Sequence, residues 1–247
     1  MHYNYEGKKV FYRDIGEGDV IILLPGNTAS SAVHIREIEF FSKSYRVICP
    51  DYIGYGISER VEKFSNNFWL ENALMLIALM KELGIDRYKV IGSSGGGLIG
   101  LNMAIYAPEK VELVVADSLI GEYITRPISN KIVEGRTQIN EGMQEFWRYA
   151  HGEDWDKVIE KDSKMIEEFA LHGKSIFDGK LNIIKCPVLI LGSLNDDLIP
   201  DIVTSMGKIC RQIKDSRLLL YSNGRHPVMW TNPEMYKRDV MDFLDRY

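Results

Sequence analysis

A chain of 247 residues is long enough to bury a sizeable core, as one large domain with an insertion or as two small domains. Its formal net charge of −5 comes from interspersed acidic and basic residues, which excludes the clustered basic face of a nucleic-acid-binding protein. The apolar runs are too short to span a bilayer and the N-terminus lacks a signal-peptide pattern, so we expect a cytoplasmic protein without a membrane span.

Short apolar runs alternate with helix-like segments along most of the chain. At the start, Tyr3–Tyr5 and Lys9–Arg13 flank a Glu-Gly-Lys turn and predict an antiparallel hairpin. The alternation that follows predicts an α/β fold, with a mostly parallel central sheet and helices on both faces. The predicted strands are Val20–Leu24, Tyr45–Cys49, Tyr88–Ile91, Val111–Ala116, Val188–Leu191 and Leu218–Tyr221. The predicted helices are Ser31–Phe41, Asn67–Leu83, Gly97–Tyr106, Ile202–Ile213 and Glu234–Asp245.

The alternation stops after Ala116. Residues 119–185 are helix-like, charged and rich in aromatic side chains, and they contain no convincing strand. A strand pattern resumes at Val188. We therefore predict a core of residues 1–118 and 186–247, with residues 119–185 as a helical lid inserted before the last two strands.

The run Gly92–Gly96 matches the pattern G-x-S-x-G, with Ser94 as its serine. The pattern alone is weak, but here it directly follows a predicted strand and opens a predicted helix. A turn this sharp strains the backbone at the serine and needs small neighbours, which the surrounding glycines supply. A phosphate loop would need a lysine after its glycine, and a dinucleotide loop would follow the first strand of the sheet. We predict that Ser94 is a nucleophile.

Other segments join this serine in a wider likeness. With the run LLPGN after an early strand, the segment Asp51–Ser58, and an aspartate and a histidine late in the chain, the sequence resembles esterase- and lipase-like serine hydrolases of the α/β-hydrolase superfamily. The resemblance covers essentially the whole chain outside the lid. It implies the α/β-hydrolase fold and a catalytic triad in the chain order Ser, Asp or Glu, His.

His226 is the candidate base, since it alone among five histidines lies beyond the last predicted strand, on a turn at that strand's C-terminal end. His34 closely follows the LLPGN run and could face the pocket, but a solvent-facing position on a helix is favoured. The other histidines belong to the N-terminus or the lid.

The resemblance selects the acid by spacing. Family members usually place a proline four residues after the acid, and counting back from Pro200 selects Asp196. Counting forward from Gly192 leaves one residue more than usual, which keeps Asp197 as an alternative. Asp117, at the end of an earlier strand, is a third option because some relatives take their acid there. The acid would fix the tautomer of the imidazole and stabilise the imidazolium.

Two backbone N–H groups are expected to form an oxyanion hole. One belongs to Gly95, the residue after the nucleophile. By resemblance the other belongs to Asn27, in a loop where the family usually has His-Gly and this chain has Pro-Gly. The side chains expected to line the acyl pocket are Phe146, Trp147, Met229 and Trp230.

Hydrolysis of a carboxylic ester or thioester through an acyl-enzyme is the expected reaction, with a small-molecule acyl substrate as the partner. The same triad could instead serve C–C bond hydrolysis, acyl transfer or perhydrolysis, and a ligand-binding protein on this scaffold is a further alternative. A serine at the nucleophile position argues against the haloalkane dehalogenase and epoxide hydrolase relatives, which have aspartate at that position. The acyl-enzyme mechanism implies no metal or organic cofactor. Cys49, Cys186 and Cys210 also lack metal-ligand and disulfide spacing.

Overall fold

Eight strands form one sheet in the computed structural model, which describes residues 1–247. In chain order the strands are β1 (His2–Tyr5), β2 (Lys8–Ile15), β3 (Val20–Leu24), β4 (Arg46–Pro50), β5 (Tyr88–Ser93), β6 (Val111–Asp117), β7 (Val188–Ser193) and β8 (Ser216–Tyr221). Their order across the sheet is β1-β2-β4-β3-β5-β6-β7-β8. β1 and β2 form the predicted antiparallel hairpin, β2 pairs antiparallel with β4, and every other pair is parallel.

Nine α-helices connect or flank these strands. They are α1 (Ile35–Phe41), α2 (Phe68–Glu82), α3 (Gly95–Tyr106), α4 (Arg126–Thr137), α5 (Glu141–His151), α6 (Trp155–His172), α7 (Ile202–Cys210), α8 (Val228–Thr231) and α9 (Pro233–Leu244). Short 3₁₀ turns cover Ser31–His34 and Leu181–Ile183. None of the helices combines the length and apolar character needed to cross a membrane.

The sheet is covered on both faces because alternate side chains of its strands enter two separate apolar clusters. In β3 all five residues are buried, and Ile22 and Leu24 point to the cluster formed with α2 and α3. Ile21 and Leu23 point to the other cluster, formed with α1 and α9. Burial on both faces explains why these strands are continuous Val, Ile and Leu runs rather than alternating patterns.

Residues 119–187 lie between β6 and β7, and we call them the helical insertion. They contain α4, α5 and α6 and no strand. The insertion is tied to the core by hydrogen bonds: the Ser30 hydroxyl donates to the Ala150 carbonyl at 2.7 Å, and the Arg60 guanidinium pairs with Asp154 at 2.9 Å. Its action as a lid stays a prediction.

Candidate active site

Ser94 occupies the turn between β5 and α3 in the strained conformation expected of it, with φ 52° and ψ −120°. Its backbone N–H donates to the Asp117 carbonyl at 2.7 Å, which anchors the turn to the neighbouring strand. A Cβ on Gly92 would collide with the backbone of Gly96, and a Cβ on Gly96 would collide with the Leu24 carbonyl. Both glycines are therefore required by the close approach of the chain to itself. α3 begins at Gly95, two residues earlier than predicted.

His226 lies between Ser94 and Asp196. Its Nε2 is 3.0 Å from Ser94 Oγ, and its Nδ1 is 2.9 Å from Asp196 Oδ2. The Asp196 side chain has no exposed surface and the His226 side chain is 11% exposed. These three side chains come from the C-terminal ends of β5, β7 and β8, which meet at one edge of the sheet.

Only one of the three candidate acids contacts the imidazole. Asp196 is held by the backbone N–H groups of Leu198 and Ile199, which donate to its Oδ1 at 3.0 and 2.7 Å. Asp197 has a 55% exposed side chain, and it accepts from the backbone N–H of His226 at 3.1 Å.

Asp117 is fully buried and contacts α8, the short helix that follows His226. It accepts from the backbone N–H of Met229 at 2.8 Å and from the Ser118 hydroxyl at 2.8 Å. Burial raises the pKa of Asp117 to about 6. The structure thus places Asp196 against the ring and gives the other two aspartates contacts to backbone nearby.

The expected oxyanion donors lie side by side at the start of α3. As the first residue of the helix, Gly95 has a backbone N–H without an intrahelical acceptor. The backbone N–H of Asn27 donates to no group of the protein. A Cβ built on Gly95 would lie 3.2 Å from the Asn27 nitrogen, and one built on Gly26 would lie 3.2 Å from Ser94 Cβ. Both unused donors therefore border the serine, where the helix dipole favours negative charge.

A cavity of about 520 Å³ opens over Ser94 and His226. Its lining is mainly apolar, and Arg136 is the one permanently charged side chain in it. Part of the lining comes from the core; this core wall contains Asn27, Trp69, Ser94, Leu98 and His226. The insertion wall contains Ile124, Ile132, Arg136, Met143, Phe146, Trp147 and Ile166.

Comparison with known proteins identifies the family. A model of the alpha/beta hydrolase fold matches residues 19–150, which is more than half of the chain. The chain belongs to the α/β-hydrolase family. Serine hydrolase BPHL of Mus musculus is 25% identical to it, over 96% of this chain and 84% of that protein. A 2-hydroxy-6-oxo-6-phenylhexa-2,4-dienoate hydrolase of Burkholderia cepacia is 22% identical, over 96% of this chain and 91% of that protein.

A solved structure supports the same fold. The esterase EaEST of Exiguobacterium antarcticum superposes with a TM-score of 0.78 at 17% identity, over 98% of this chain and 97% of that one. The predicted α/β-hydrolase fold is confirmed. The family match and the hydrolase relatives support a hydrolytic enzyme.

The structure separates the four side chains expected in the pocket. Phe146, Trp147 and Trp230 line the cavity, and the rings of Phe146 and Trp230 meet edge to face with 5.7 Å between centroids. Met229 does not line it, so that expectation is wrong. Neighbouring residues of α8 point about 100° apart, and Met229 turns into the core beneath the sheet, where it is 1% exposed.

His34 also differs from expectation. It is fully buried in the 3₁₀ turn before α1, with Nδ1 3.3 Å from a Glu37 carboxylate oxygen. Its ring packs on Trp230 with 5.1 Å between centroids. The favoured solvent-facing position is wrong, because the ring is buried against Trp230 of α8 instead of facing solvent. His34 therefore supports a cavity side chain without lining the cavity itself.

Two titratable residues of the insertion contact the loop that contains Asn27 and Thr28, and neither was identified from the sequence. Asp162 is fully buried and lies 2.7 Å from the Asn27 carboxamide nitrogen. His151 accepts from the Gly56 N–H at 3.0 Å and its Nε2 lies 3.0 Å from the Thr28 carbonyl. Burial lowers the pKa of His151 to about 4, so the ring is neutral. Since Nδ1 accepts a hydrogen bond, Nε2 carries the proton and donates it to the Thr28 carbonyl.

A local signal could have found Asp162. In α6 the buried apolar side chains follow helical spacing, and Asp162 falls within the buried stripe between Ile159 and Ile166. A carboxylate on an apolar face needs a partner, because burying it alone is costly. The spacing indicates a buried partner without indicating which residue it is.

The remaining candidate ligands are dispersed. The three cysteines are free; Cys49 and Cys186 are buried and Cys210 is half-buried. Burial raises the pKa of the Cys186 thiol to about 12, which makes it a poor nucleophile. No group of three or more His, Cys, Asp or Glu side chains is arranged to hold a metal ion. The reactive groups at the cavity are thus those around Ser94.

Proposed function

We propose that this α/β hydrolase is a serine hydrolase that cleaves the carboxylic ester, or thioester, bond of a small to medium acyl substrate. The observation that carries the proposal is the chain of contacts from Ser94 Oγ through the His226 ring to Asp196, at 3.0 and 2.9 Å. A serine hydroxyl becomes a useful nucleophile when a base within hydrogen-bond reach can take its proton and a third group orients that base. Both conditions are met by these contacts, beside an apolar cavity.

In the acylation step, Ser94 attacks the substrate carbonyl as His226 Nε2 takes the hydroxyl proton. The carbonyl oxygen gains negative charge, and the N–H groups of Asn27 and Gly95 donate to it. Asp196 accepts from Nδ1, which keeps Nε2 free to act as the base and stabilises the imidazolium. His226 then gives the proton to the leaving alcohol or thiol.

In the deacylation step, water replaces the leaving group. His226 takes a proton from this water, the hydroxide attacks the acyl carbon, and Ser94 leaves with the proton restored. The apolar insertion wall favours a hydrocarbon acyl or alcohol group, and we propose that the insertion acts as a lid over it. A cytoplasmic location, suggested by the free cysteines, is part of the same proposal.

The test has two parts. A fluorophosphonate probe should label Ser94, and Ser94→Ala should abolish labelling, whereas Ser93→Ala, which removes the neighbouring buried hydroxyl, should still be labelled. Hydrolysis of p-nitrophenyl esters of rising chain length should then be at least about 10⁴-fold slower in Ser94→Ala. A folded wild-type protein that resists the probe would contradict the proposal and favour a ligand-binding protein.

C–C bond hydrolysis is the second candidate, because one full-length relative bears the name of a phenylhexadienoate hydrolase. It requires the same serine, base and acid but a dienoate substrate. Labelling of Ser94 without turnover of any ester, combined with loss of the absorbance of such a dienoate, would favour it. Ester turnover without dienoate turnover would support the first candidate.

A further inference from the structure

The carboxamide of Asn27 is held at both ends. Trp69 Nε1 of α2 donates to its oxygen at 3.1 Å, and its nitrogen donates to Asp162 Oδ2 of α6 at 2.7 Å. The donor at one end and the carboxylate at the other leave one orientation for the amide. The side chain of the expected oxyanion residue is thus fixed between the core and the insertion.

Asp162 is itself fixed. Its Oδ2 also accepts from the Tyr55 hydroxyl, and its Oδ1 lies 2.7 Å from Arg136 Nη1 of α4. The side chain of Asp162 has no exposed surface and that of Arg136 is 11% exposed. An unpaired buried carboxylate near an oxyanion hole would oppose the charge that develops there. The guanidinium of Arg136 offsets the negative charge of Asp162. Asp162 can therefore anchor Asn27 with less repulsion of the developing oxyanion.

The anchored carboxamide borders Gly95, the residue that supplies the second expected donor. A Cβ on Gly95 would collide with the Asn27 carboxamide oxygen and would lie 3.2 Å from the Asn27 backbone nitrogen. The carboxamide oxygen therefore packs directly against the Gly95 backbone, beside both expected donors. Oxyanion stabilisation depends on such donors being correctly placed before the reaction.

We propose that Asp162 is a positioning residue for the reaction: through the Asn27 side chain it holds the Asn27 backbone N–H in the oxyanion hole. The hole is then complete only while α6 of the insertion is docked on the core. This inference rests on the proposed function, because it assigns Asn27 the role of oxyanion donor.

The decisive variant is Asp162→Asn, which keeps the size of the side chain and removes its charge. We expect kcat to fall on the order of 10- to 100-fold, approaching the loss of one oxyanion donor, while KM changes less than about threefold. The rate of labelling by the fluorophosphonate should fall by the same factor, because its phosphoryl oxygen uses the same donors. Asp154→Asn is the matched control, since it breaks another tie between insertion and core that does not touch Asn27.

A second variant separates positioning from folding. Asn27→Ala keeps the backbone N–H and removes the anchored carboxamide, so it should lower kcat by a similar factor. The double variant Asp162→Asn with Asn27→Ala should lose no more than Asn27→Ala alone, because coupled residues are not additive. If Asp162→Asn fails to fold, the result for Asn27→Ala decides alone.

The outcomes divide cleanly. Wild-type kcat and labelling rate in folded Asp162→Asn, or in Asn27→Ala, would overturn the inference. So would an equal loss in Asp154→Asn, since the effect would then belong to docking in general. Failure of the probe to label the wild-type protein would instead remove the proposed function. Labelling proceeds whichever bond the enzyme hydrolyses, so the two failures are distinguishable.

Discussion

The core wall of the cavity carries Ser94 and His226, whereas the insertion wall is formed mainly by apolar side chains such as Ile132 and Phe146. On the core wall, short backbone turns at strand ends position the reactive atoms. On the insertion wall, helices present side chains whose positions depend on how α4, α5 and α6 pack together. The reactive groups therefore depend on backbone geometry, and the shape of the cavity depends on side-chain packing.

This difference predicts which residues of the cavity tolerate substitution. A misplacement of about 1 Å in a reactive group can lower the rate on the order of 100-fold, so substitutions in the core wall should strongly reduce activity. Loss of an apolar contact costs only about 1 to 3 kcal/mol, so changes in the insertion wall should alter which substrates react. The exception is Asp162, an insertion residue with a contact to the core wall.

Asp196→Asn should give the largest effect. An amide presents the wrong group to Nδ1 or selects the wrong tautomer, and a loss of about 10³- to 10⁴-fold in kcat is expected. Asp197→Asn is the matched control and should stay within about threefold, since its exposed carboxylate contacts only backbone and Arg225. Steady-state kinetics on a p-nitrophenyl ester measure both. A larger loss in Asp197→Asn would show that the acid had been misassigned.

His151 should make the attachment of the insertion sensitive to acid. The folded pKa of about 4 lies below the ordinary 6.5, so the unfolded chain binds the extra proton first. Stability from this residue is fully present above pH 6.5 and is lost as pH falls towards 4. At 1.36 kcal/mol for each pH unit, the loss amounts to about 3 kcal/mol.

Urea unfolding of the wild type and His151→Gln at several pH values between 7 and 4 measures this effect. The free energy of unfolding, plotted against pH, should have a steeper slope for the wild type than for the variant. Burial of Asp117 acts with the opposite sign, because its raised folded pKa favours the folded state as pH falls through about 6. That contribution is common to both proteins and cancels in the comparison. Equal slopes would show that His151 is not buried in its neutral form.

Phe146→Ala should give the smallest effect and test the insertion wall directly. Removing this ring enlarges the cavity and loses apolar contact, so kcat/KM for the longest accepted ester should fall about 10-fold. The shortest esters, which do not reach the ring, should be affected less than about threefold. Tyr149→Ala on the same helix is the control, because Tyr149 is 67% exposed and lies outside the cavity. A uniform loss across chain lengths would assign Phe146 a structural role.

The sequence predicted most of the fold because strand and helix patterns are local. β3 has the bounds predicted for it, β4 lies one residue later, and β5 extends two residues further, to Ser93. Ser94 and His226 were also predictable, since a strand–serine–helix turn and a position after the last strand can be recognised from neighbouring residues. The choice between Asp196 and Asp197 was less certain, because the two spacing counts disagree by one residue. Which of two adjacent loop residues faces the imidazole depends on the fold of the loop and cannot be read from neighbouring residues.

By itself, the sequence determined the order of strands and helices, the glycine-lined turn at Ser94 and the place of His226, because backbone preferences act over a few residues. The tertiary structure alone decided which of two adjacent aspartates faces the ring, that Trp230 but not Met229 enters the cavity, and that His34 is buried. It also joined Asn27 to Asp162, which are 135 residues apart in the chain. Such pairings depend on how separate helices pack, and no local pattern specifies the partner of a buried polar side chain.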